Sequence, residues 1–350
     1  MPARLLPRLR RALHACAPVP VVAVLAFLEF CACRPGRHPD VVDLARTASP
    51  AVVRIRAAGT MVEATGAGFF IRGEDGGALV LTNNHLIWGA GSLTVQTRDG
   101  AMHPADVVGT DPEVDLAVLR PAGAESSPTL HFGNDQSLAI GDSLLSIGTP
   151  DGVFAAVSMG ILSARAKVFP PTLAAESFVE YLFTDAAVSA GSSGGPLLDS
   201  TGAVVGISLA MLGARSALGI AIPVHLAEPI VKVLQRGLPF RHSFSGIHVS
   251  DGPLEGTEVG PRVFSCAADA ALCMTAPHGG DVRIGDRIVA INGEEVRGAH
   301  EFEWRQFMAE PGTTWTLNIA RSGHRLSTHV ILQELTQGSF AQHRRSEKPE

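Results

Sequence analysis

The chain has 350 residues, enough for two domains, and its 46% hydrophobic and 18% charged residues support a globular core and exclude general disorder. The formal net charge of −6, with no basic run, argues against nucleic acid as a partner. The 37 glycines and 23 prolines favour short strands and turns over long helices.

Residues 1–33 have the pattern of an export signal. Several arginines among residues 4–11 precede an apolar run from about Ala15 to Ala32, and Glu29 and two prolines weaken that run as a permanent membrane span. We predict a cleaved signal, with an uncleaved anchor as the alternative. The ending Phe30-Cys31-Ala32-Cys33 also resembles a bacterial lipoprotein box, in which Cys33 would carry lipid and tether the protein to the membrane.

The rest of the chain, after a helix that Pro50 ends, alternates short apolar runs with turn residues, which indicates a β-sandwich or barrel. Apolar residues at helical spacing predict an amphipathic helix from Pro223 to Arg236. The sequence Gly237-Leu238-Pro239 is the predicted domain boundary, so the domains run over 40–236 and 240–335, followed by a disordered tail at 336–350. The predicted strands are Val52–Arg56, Gly68–Ile71, Leu79–Thr82, Leu93–Thr97, Asp106–Thr110, Leu116–Leu119, Ser143–Ile147, Val157–Ser163, Ala203–Ala210 and Gly219–Ile222.

The stretch Gly191-Ser192-Ser193-Gly194-Gly195 is the candidate for nucleophilic chemistry. A serine hydroxyl needs a base beside it and an anion site in front of it. Without a side chain, Gly191 can turn its N–H towards the same point as the N–H of Ser193, which would make an oxyanion hole. Taken alone, a stretch of this kind is usually an ordinary glycine-rich turn with incidental serines.

A candidate base and a candidate acid lie upstream of Ser193. His85 follows a β-run, where it can face a cleft, and Asp115 directly precedes Leu-Ala-Val-Leu, which would draw its carboxylate towards the core. A buried carboxylate requires a hydrogen-bond partner, and a histidine N–H would serve. The order His, Asp, Ser is that of chymotrypsin.

With these motifs, the chain resembles the HtrA/Deg serine proteases over about residues 42–335. The resemblance includes Thr82-Asn83-Asn84-His85, Asp115-Leu116-Ala117-Val118-Leu119, Ile147-Gly148-Thr149-Pro150 and Thr184-Asp185-Ala186-Ala187. It implies a mainly β fold, with a chymotrypsin-like double six-stranded β-barrel followed by one small α+β PDZ domain. By the resemblance, His85 is the general base, Asp115 orients it, Ser193 is the nucleophile, and the oxyanion hole is formed by Gly191 and Ser193.

The resemblance also suggests where substrate side chains bind. The segment Leu218–Pro223 resembles the S1 wall of the family, so Met211, Gly219, Ile220 and Ala221 would form an apolar pocket suited to small aliphatic P1 residues. The family usually has asparagine before the nucleophile, whereas this chain has Ser192.

The segment from Arg283 to Gly293 is close to a PDZ signature, and the expected peptide-binding loop is Phe244, Ser245, Gly246 and Ile247. PDZ domains take an extended C-terminal peptide as an added strand. Ser245 stands where the family has a large apolar residue. Cys266 and Cys273 are expected either to form a disulfide or to be two buried thiols.

The predicted function is that of an exported serine endopeptidase of the periplasm or cell envelope, which cleaves misfolded or exposed polypeptides through an acyl-enzyme. The expected partners are unfolded proteins or protein C-termini, with a homotrimer implied by the family, and neither cofactor nor metal is expected. The competing hypothesis is a catalytically weak or inactive protease-like module that binds peptides or acts as a chaperone.

Overall fold

The computed structural model describes residues 41–59, 63–150, 153–166, 180–211, 218–251, 261–266 and 282–335, with only the backbone described at 210–211 and 264–266. The predicted signal, Cys33, Cys273 and the predicted tail lie outside these ranges. No helix within them is long and apolar enough to cross a membrane.

The N-terminal part is a closed six-stranded antiparallel barrel preceded by helix α1 (Val41–Ala48). Around the barrel the strand order is β1-β2-β3-β6-β5-β4. Side chains of alternate strand residues fill its interior, including those of Val53, Ile55, Phe70 and Val80. The strands are β1 (Val52–Ala58), β2 (Glu63–Arg72), β3 (Ala78–Thr82), β4 (Ser92–Gln96), β5 (Met102–Asp111) and β6 (Leu116–Pro121).

The next part is a second closed barrel, with the order β10-β11-β12-β9-β8-β7, and helix α2 (Val224–Leu234) follows it. The two barrels confirm the predicted double six-stranded fold. Strand β9 was not predicted, because a short apolar run is compatible with a strand or with part of a helix. The strands are β7 (Ser143–Gly148), β8 (Ala156–Ala166), β9 (Tyr181–Thr184), β10 (Pro196–Leu198), β11 (Val204–Met211) and β12 (Gly219–Pro223).

The C-terminal segment is a sheet with one helix, α3 (Ala299–Met308). Its sheet has the order β14-β15-β16-β18-β19, with β17 on β16, while β13 pairs with β20. Together with the two barrels it belongs to one compact unit. The strands are β13 (Ser243–Phe244), β14 (Ile247–Ser250), β15 (Arg262–Cys266), β16 (Arg287–Ile291), β17 (Glu294–Glu295), β18 (Thr314–Arg321), β19 (His324–Ile331) and β20 (Gln333–Glu334).

One large core cluster joins the barrels to each other and to the C-terminal segment. It contains buried side chains from the first barrel, such as Leu81, and from the second, such as Phe183, and it extends to Phe244, Phe307 and Leu335 of the C-terminal segment. Because Phe307 lies on α3, this helix is fixed to the barrels by apolar packing. This packing fixes the position of the C-terminal segment relative to the two barrels.

A buried aspartate ties the second barrel to the start of α2. Asp135 has no exposed surface, and its carboxylate accepts hydrogen bonds from the backbone N–H and ring Nδ1 of His225, both at 2.8 Å. Arg165 adds an ion pair at 3.2 Å. Burial tends to raise the pKa of Asp135, but the hydrogen bonds and charge of His225 and the hydrogen bond from Arg165 outweigh it and hold this pKa below its ordinary value.

We expect Asp135→Asn to lower the free energy of unfolding by about 3 kcal/mol, because His225 and Arg165 lose a buried charged partner. The pKa of Asp135 is lowered on folding, so its contribution is present above the unfolded aspartate value of about 3.9 and is lost as the pH falls below it. Urea unfolding at neutral and acidic pH measures both effects. Asp99→Asn, in an exposed turn, is the control, and equal stability of the two variants at neutral pH would contradict the assignment.

Candidate active site

The fold brings His85 against Asp115. His85 lies in a 3₁₀ turn (Asn84–Leu86) after β3, and Asp115 lies in the connection between β5 and β6. The ring Nδ1 of His85 is 2.6 Å from Asp115 Oδ2, and the backbone N–H of His85 donates to Asp115 Oδ1 at 2.7 Å. The Asp115 side chain is 2% exposed and that of His85 is 43% exposed. The buried carboxylate thus holds His85 at two points, its backbone N–H and its ring Nδ1, and leaves ring Nε2 available.

The backbone at Asp115 is in the left-handed region, with φ 63°. Aspartate adopts this conformation more readily than most residues, but it still needs support from the surrounding structure. The residues between β3 and His85 give this support. Asn83 Nδ2 and the backbone N–H of Asn84 donate to the Asp115 carbonyl at 3.0 and 3.2 Å. The motif around His85 therefore holds both the backbone and the side chain of Asp115.

Ser193 lies in a turn between β9 and β10 that contacts the first barrel. Its carbonyl accepts a hydrogen bond of 2.8 Å from the Ala67 N–H, which joins the two barrels at this turn. Gly194 has φ 84°, and a Cβ at this position would collide with the Ala67 carbonyl and the Thr82 hydroxyl. Glycine is required at this position because the turn approaches the first barrel so closely.

Gly191 and Ser193 carry the two backbone N–H groups of the predicted oxyanion hole. Gly191 has φ 88°, and its carbonyl is held by the Thr149 N–H at 3.3 Å and the Thr149 hydroxyl at 3.1 Å. Neither the Gly191 N–H nor the Ser193 N–H donates to an acceptor in the described part of the chain. A Cβ on Gly191 would lie 2.7 Å from the Thr149 carbonyl, so the position again requires glycine.

The hydroxyl of Ser193 donates to the Leu209 carbonyl on β11, at 2.9 Å. Among the described residues, no hydrogen bond joins it to His85. Hydrogen bonds between catalytic groups often form only when substrate is bound. The hydroxyl must therefore leave Leu209 before it can donate to the imidazole.

Two of the four predicted S1 side chains are buried in apolar cores. Ile220 packs in the core that joins the barrels, and Ala221 packs inside the second barrel. A Cβ on Gly219 would lie 2.5 Å from Cγ2 of Val188, so Val188 is a candidate wall residue that the sequence analysis missed. The side chain of Met211 lies outside the described residues.

The predicted peptide-binding loop is bonded to α3 by a glutamine side chain. Gln306 Oε1 accepts hydrogen bonds from the Ser245 N–H at 3.1 Å and from the Ser245 hydroxyl at 2.6 Å. The Ser245 hydroxyl also accepts the Ile247 N–H at 3.2 Å, and Gln306 Nε2 donates to the Ile247 carbonyl at 3.4 Å. Gln306 is fully buried, and sequence reasoning missed it because it lies 61 residues from Ser245.

The described ranges contain no group of three His, Cys, Asp or Glu side chains that could hold a metal ion. The groups that the structure describes at the site are a hydroxyl, an oriented imidazole and two backbone N–H donors. Two closed barrels with these groups at the cleft define a chymotrypsin-like serine peptidase fold.

Comparisons with known proteins agree with this class. The trypsin-like peptidase domain family matches residues 66–207. A protein named "Putative serine protease HhoA" from Synechocystis sp. is 30% identical over 282 residues, which cover 77% of this chain and 71% of that protein. A protein named "Probable periplasmic serine endoprotease DegP-like" from Chlamydia trachomatis is 33% identical over 271 residues, 76% of this chain and 53% of the relative. The chain thus spans about half the length of several curated relatives it matches.

A solved structure of the HtrA-type protease AlgW with tripeptide superposes with a TM-score of 0.72 and 28% sequence identity, over 85% of this chain and 98% of that chain. The serine endoprotease from Yersinia pestis gives a TM-score of 0.61 at 27% identity, over 84% of this chain and 97% of that one. The chain belongs to the HtrA/Deg family of serine proteases.

Proposed function

We propose that the chain is a serine endopeptidase that cleaves misfolded or exposed polypeptides through an acyl-enzyme. The observation that carries this proposal is the His85–Asp115 pair, in which one carboxylate holds both the ring and the backbone of the histidine at 2.6 and 2.7 Å. His85 acts as general base, Asp115 as its orienting acid and Ser193 as nucleophile.

The proposed reaction begins when the Ser193 hydroxyl turns from the Leu209 carbonyl to His85 Nε2. His85 takes the hydroxyl proton as Oγ attacks the scissile carbonyl, and the N–H groups of Gly191 and Ser193 stabilise the resulting oxyanion. Collapse of the tetrahedral intermediate breaks the C–N bond, and His85 gives its proton to the leaving amine. Water, activated by His85, then hydrolyses the acyl-enzyme in the same way.

The competing proposal is a protease-like module without activity. A persistent hydrogen bond from the Ser193 hydroxyl to the Leu209 carbonyl would favour it. A fluorophosphonate probe distinguishes the two, because it labels serine only when base and oxyanion hole act together. We expect purified protein to be labelled at Ser193 and to digest casein. Absence of both labelling and digestion would favour the module.

Specificity is proposed to come from a small apolar pocket in which Gly219 and Val188 form one wall, with Met211 near it. The close approach of Val188 to Gly219 supports small aliphatic P1 residues over large ones. Mass spectrometry of casein products tests this, and a preference for aromatic or basic P1 residues would contradict it.

The C-terminal segment is proposed to be a PDZ domain that recognises extended peptides. The support is that β14 is an edge strand of its sheet and follows the loop Phe244-Ser245-Gly246-Ile247. An edge strand can accept a peptide as an added strand. The carboxamide of Gln306 already bonds to an N–H and a C=O of this loop, much as a peptide group would, so a peptide must displace it.

We therefore expect Gln306→Leu to bind a peptide with a free C-terminus about tenfold more tightly than wild type, since it removes hydrogen bonds that contribute about 1 kcal/mol or more. Fluorescence anisotropy with a labelled peptide measures this, and the amidated peptide tests for carboxylate capture. Arg305→Gln, which changes the neighbouring residue paired with Glu294 and Glu301, is the control. Unchanged affinity in a folded Gln306→Leu variant would contradict the role of Gln306.

We propose that the protein acts in the periplasm or cell envelope, as the names of its relatives suggest for those proteins. Export by the signal over residues 1–33, a lipid tether at Cys33 and a homotrimer remain further proposals. Radiolabelled palmitate incorporation in cells tests the tether, with Cys33→Ser as its control.

A further inference from the structure

The connection that carries Asp115 is bonded by a second buried aspartate. Asp111 ends β5, and its Oδ1 accepts hydrogen bonds from the backbone N–H groups of Glu113 and Val114 at 3.0 and 3.1 Å. Only three residues lie between Asp111 and Asp115, so these bonds fix the shape of the turn that holds Asp115 at φ 63°. Asp111 is only 2% exposed.

The other oxygen of Asp111 is held by the C-terminal segment. His242 Nε2 lies 2.8 Å from Asp111 Oδ2, and its Nδ1 lies 3.2 Å from the backbone carbonyl of Phe307 on α3. The His242 ring stacks on the Phe307 ring, with centroids 3.8 Å apart, and is 3% exposed. Both ring nitrogens lie within hydrogen-bond distance of an oxygen atom, one on Asp111 and one on Phe307.

Charge in this buried cluster makes His242 more than a packing residue. Burial of the Glu113 carboxyl and the charge of Asp111 raise the pKa of Glu113, while the charge of His242 acts in the opposite direction. Without the donor that His242 contributes, Asp111 would be a buried carboxylate with only backbone donors on one oxygen. An uncompensated buried charge is costly, and the turn can lower that cost by moving Asp111 towards water.

We propose that His242 is a positioning residue for the catalytic pair, which acts through Asp111 on the turn that holds Asp115. The inference rests on the proposed peptidase function of that pair. It links α3 to the active site by a continuous set of contacts from the Phe307 carbonyl through His242 and Asp111 to the residues before Asp115.

The test compares His242→Phe with Arg241→Gln. Phenylalanine keeps an aromatic ring against Phe307 but removes both donors, whereas Arg241→Gln removes an exposed ion pair to Glu334 that joins the same segment to β20. On a short unstructured peptide we expect His242→Phe to lower kcat about tenfold with KM within twofold, because small displacements of catalytic groups are costly. Arg241→Gln should match wild type, and His242→Gln, which keeps a donor, should lie closer to wild type than His242→Phe.

A second measurement does not need turnover. The proton in the short His85–Asp115 hydrogen bond should give a low-field ¹H NMR resonance, assigned by its loss in His85→Ala, and His242→Phe should shift or broaden it. A folded His242→Phe variant with kcat within twofold of wild type and an unshifted resonance would overturn the proposal.

Two results would require a further measurement. If His242→Phe does not fold, the double variant with Asp111→Asn removes the uncompensated charge and is measured instead, with the same expected loss and the same overturning result. If wild type cleaves no peptide, the proposed function fails, and the resonance alone decides the positioning role.

Discussion

Ser193→Ala is expected to lower kcat/KM for peptide hydrolysis by about five to six orders of magnitude, because the proposed mechanism needs its hydroxyl as the nucleophile. Binding and the N–H donors of Gly191 and residue 193 remain, so a small residual rate above that of water should persist. The fold should be retained, since the change removes only the hydrogen bond to the Leu209 carbonyl, about 1 kcal/mol.

The measurement is initial-rate hydrolysis of a fluorogenic peptide, with thermal unfolding recorded on the same samples. Ser200→Ala replaces a serine in the turn after β10 and serves as the matched control, which should keep wild-type activity. If Ser193→Ala kept activity within tenfold of wild type, the serine mechanism would be wrong.

The sequence predicted the parts of the structure that depend on local chemistry. The short strands between turn residues indicated a sandwich or a barrel. Gly191 was expected to use its freedom from a side chain to turn its N–H, which agrees with its φ of 88°. Asp115 was predicted to be drawn towards the core by the residues that follow it. Its 2% exposure has that physical origin.

Contacts between distant parts of the chain could not be predicted in the same way. Asp135 and His225 are 90 residues apart, and Asp111 and His242 are 131 residues apart, so no local pattern pairs them. Each of these aspartates precedes or begins an ordinary turn, where a capping role accounts for it equally well. Only the folded chain shows that a histidine from another segment binds each one.

The orientation of the Ser193 hydroxyl could not be predicted from the sequence either. A serine side chain has three staggered positions of similar energy, and the choice depends on which acceptors surround it. The Leu209 carbonyl is contributed by β11, whose register against β10 places it beside the nucleophile. The motif identifies the residue, while the surrounding strands decide its resting hydrogen bond.

Asp115→Asn is expected to lower kcat/KM by about 10⁴-fold while preserving the fold. The reason lies in the two contacts of the carboxylate. Oδ1 accepts the backbone N–H of His85, so an asparagine would keep its carbonyl oxygen there and place its NH₂ group opposite the ring Nδ1. Nδ1 would then have to accept a hydrogen bond, and the ring proton would move to Nε2.

An imidazole protonated at Nε2 cannot take the proton of Ser193, although every residue remains in place. The loss should therefore appear in kcat, with KM within a few-fold of wild type, and the thermal transition should shift little because an isosteric amide still fills the site. Asp99→Asn is the matched control, since that aspartate lies in an exposed turn and its carboxylate bonds to Thr97 and Ala101. A loss of less than tenfold in Asp115→Asn would mean that His85 does not depend on Asp115 for its tautomer, and a different acid would have to be sought.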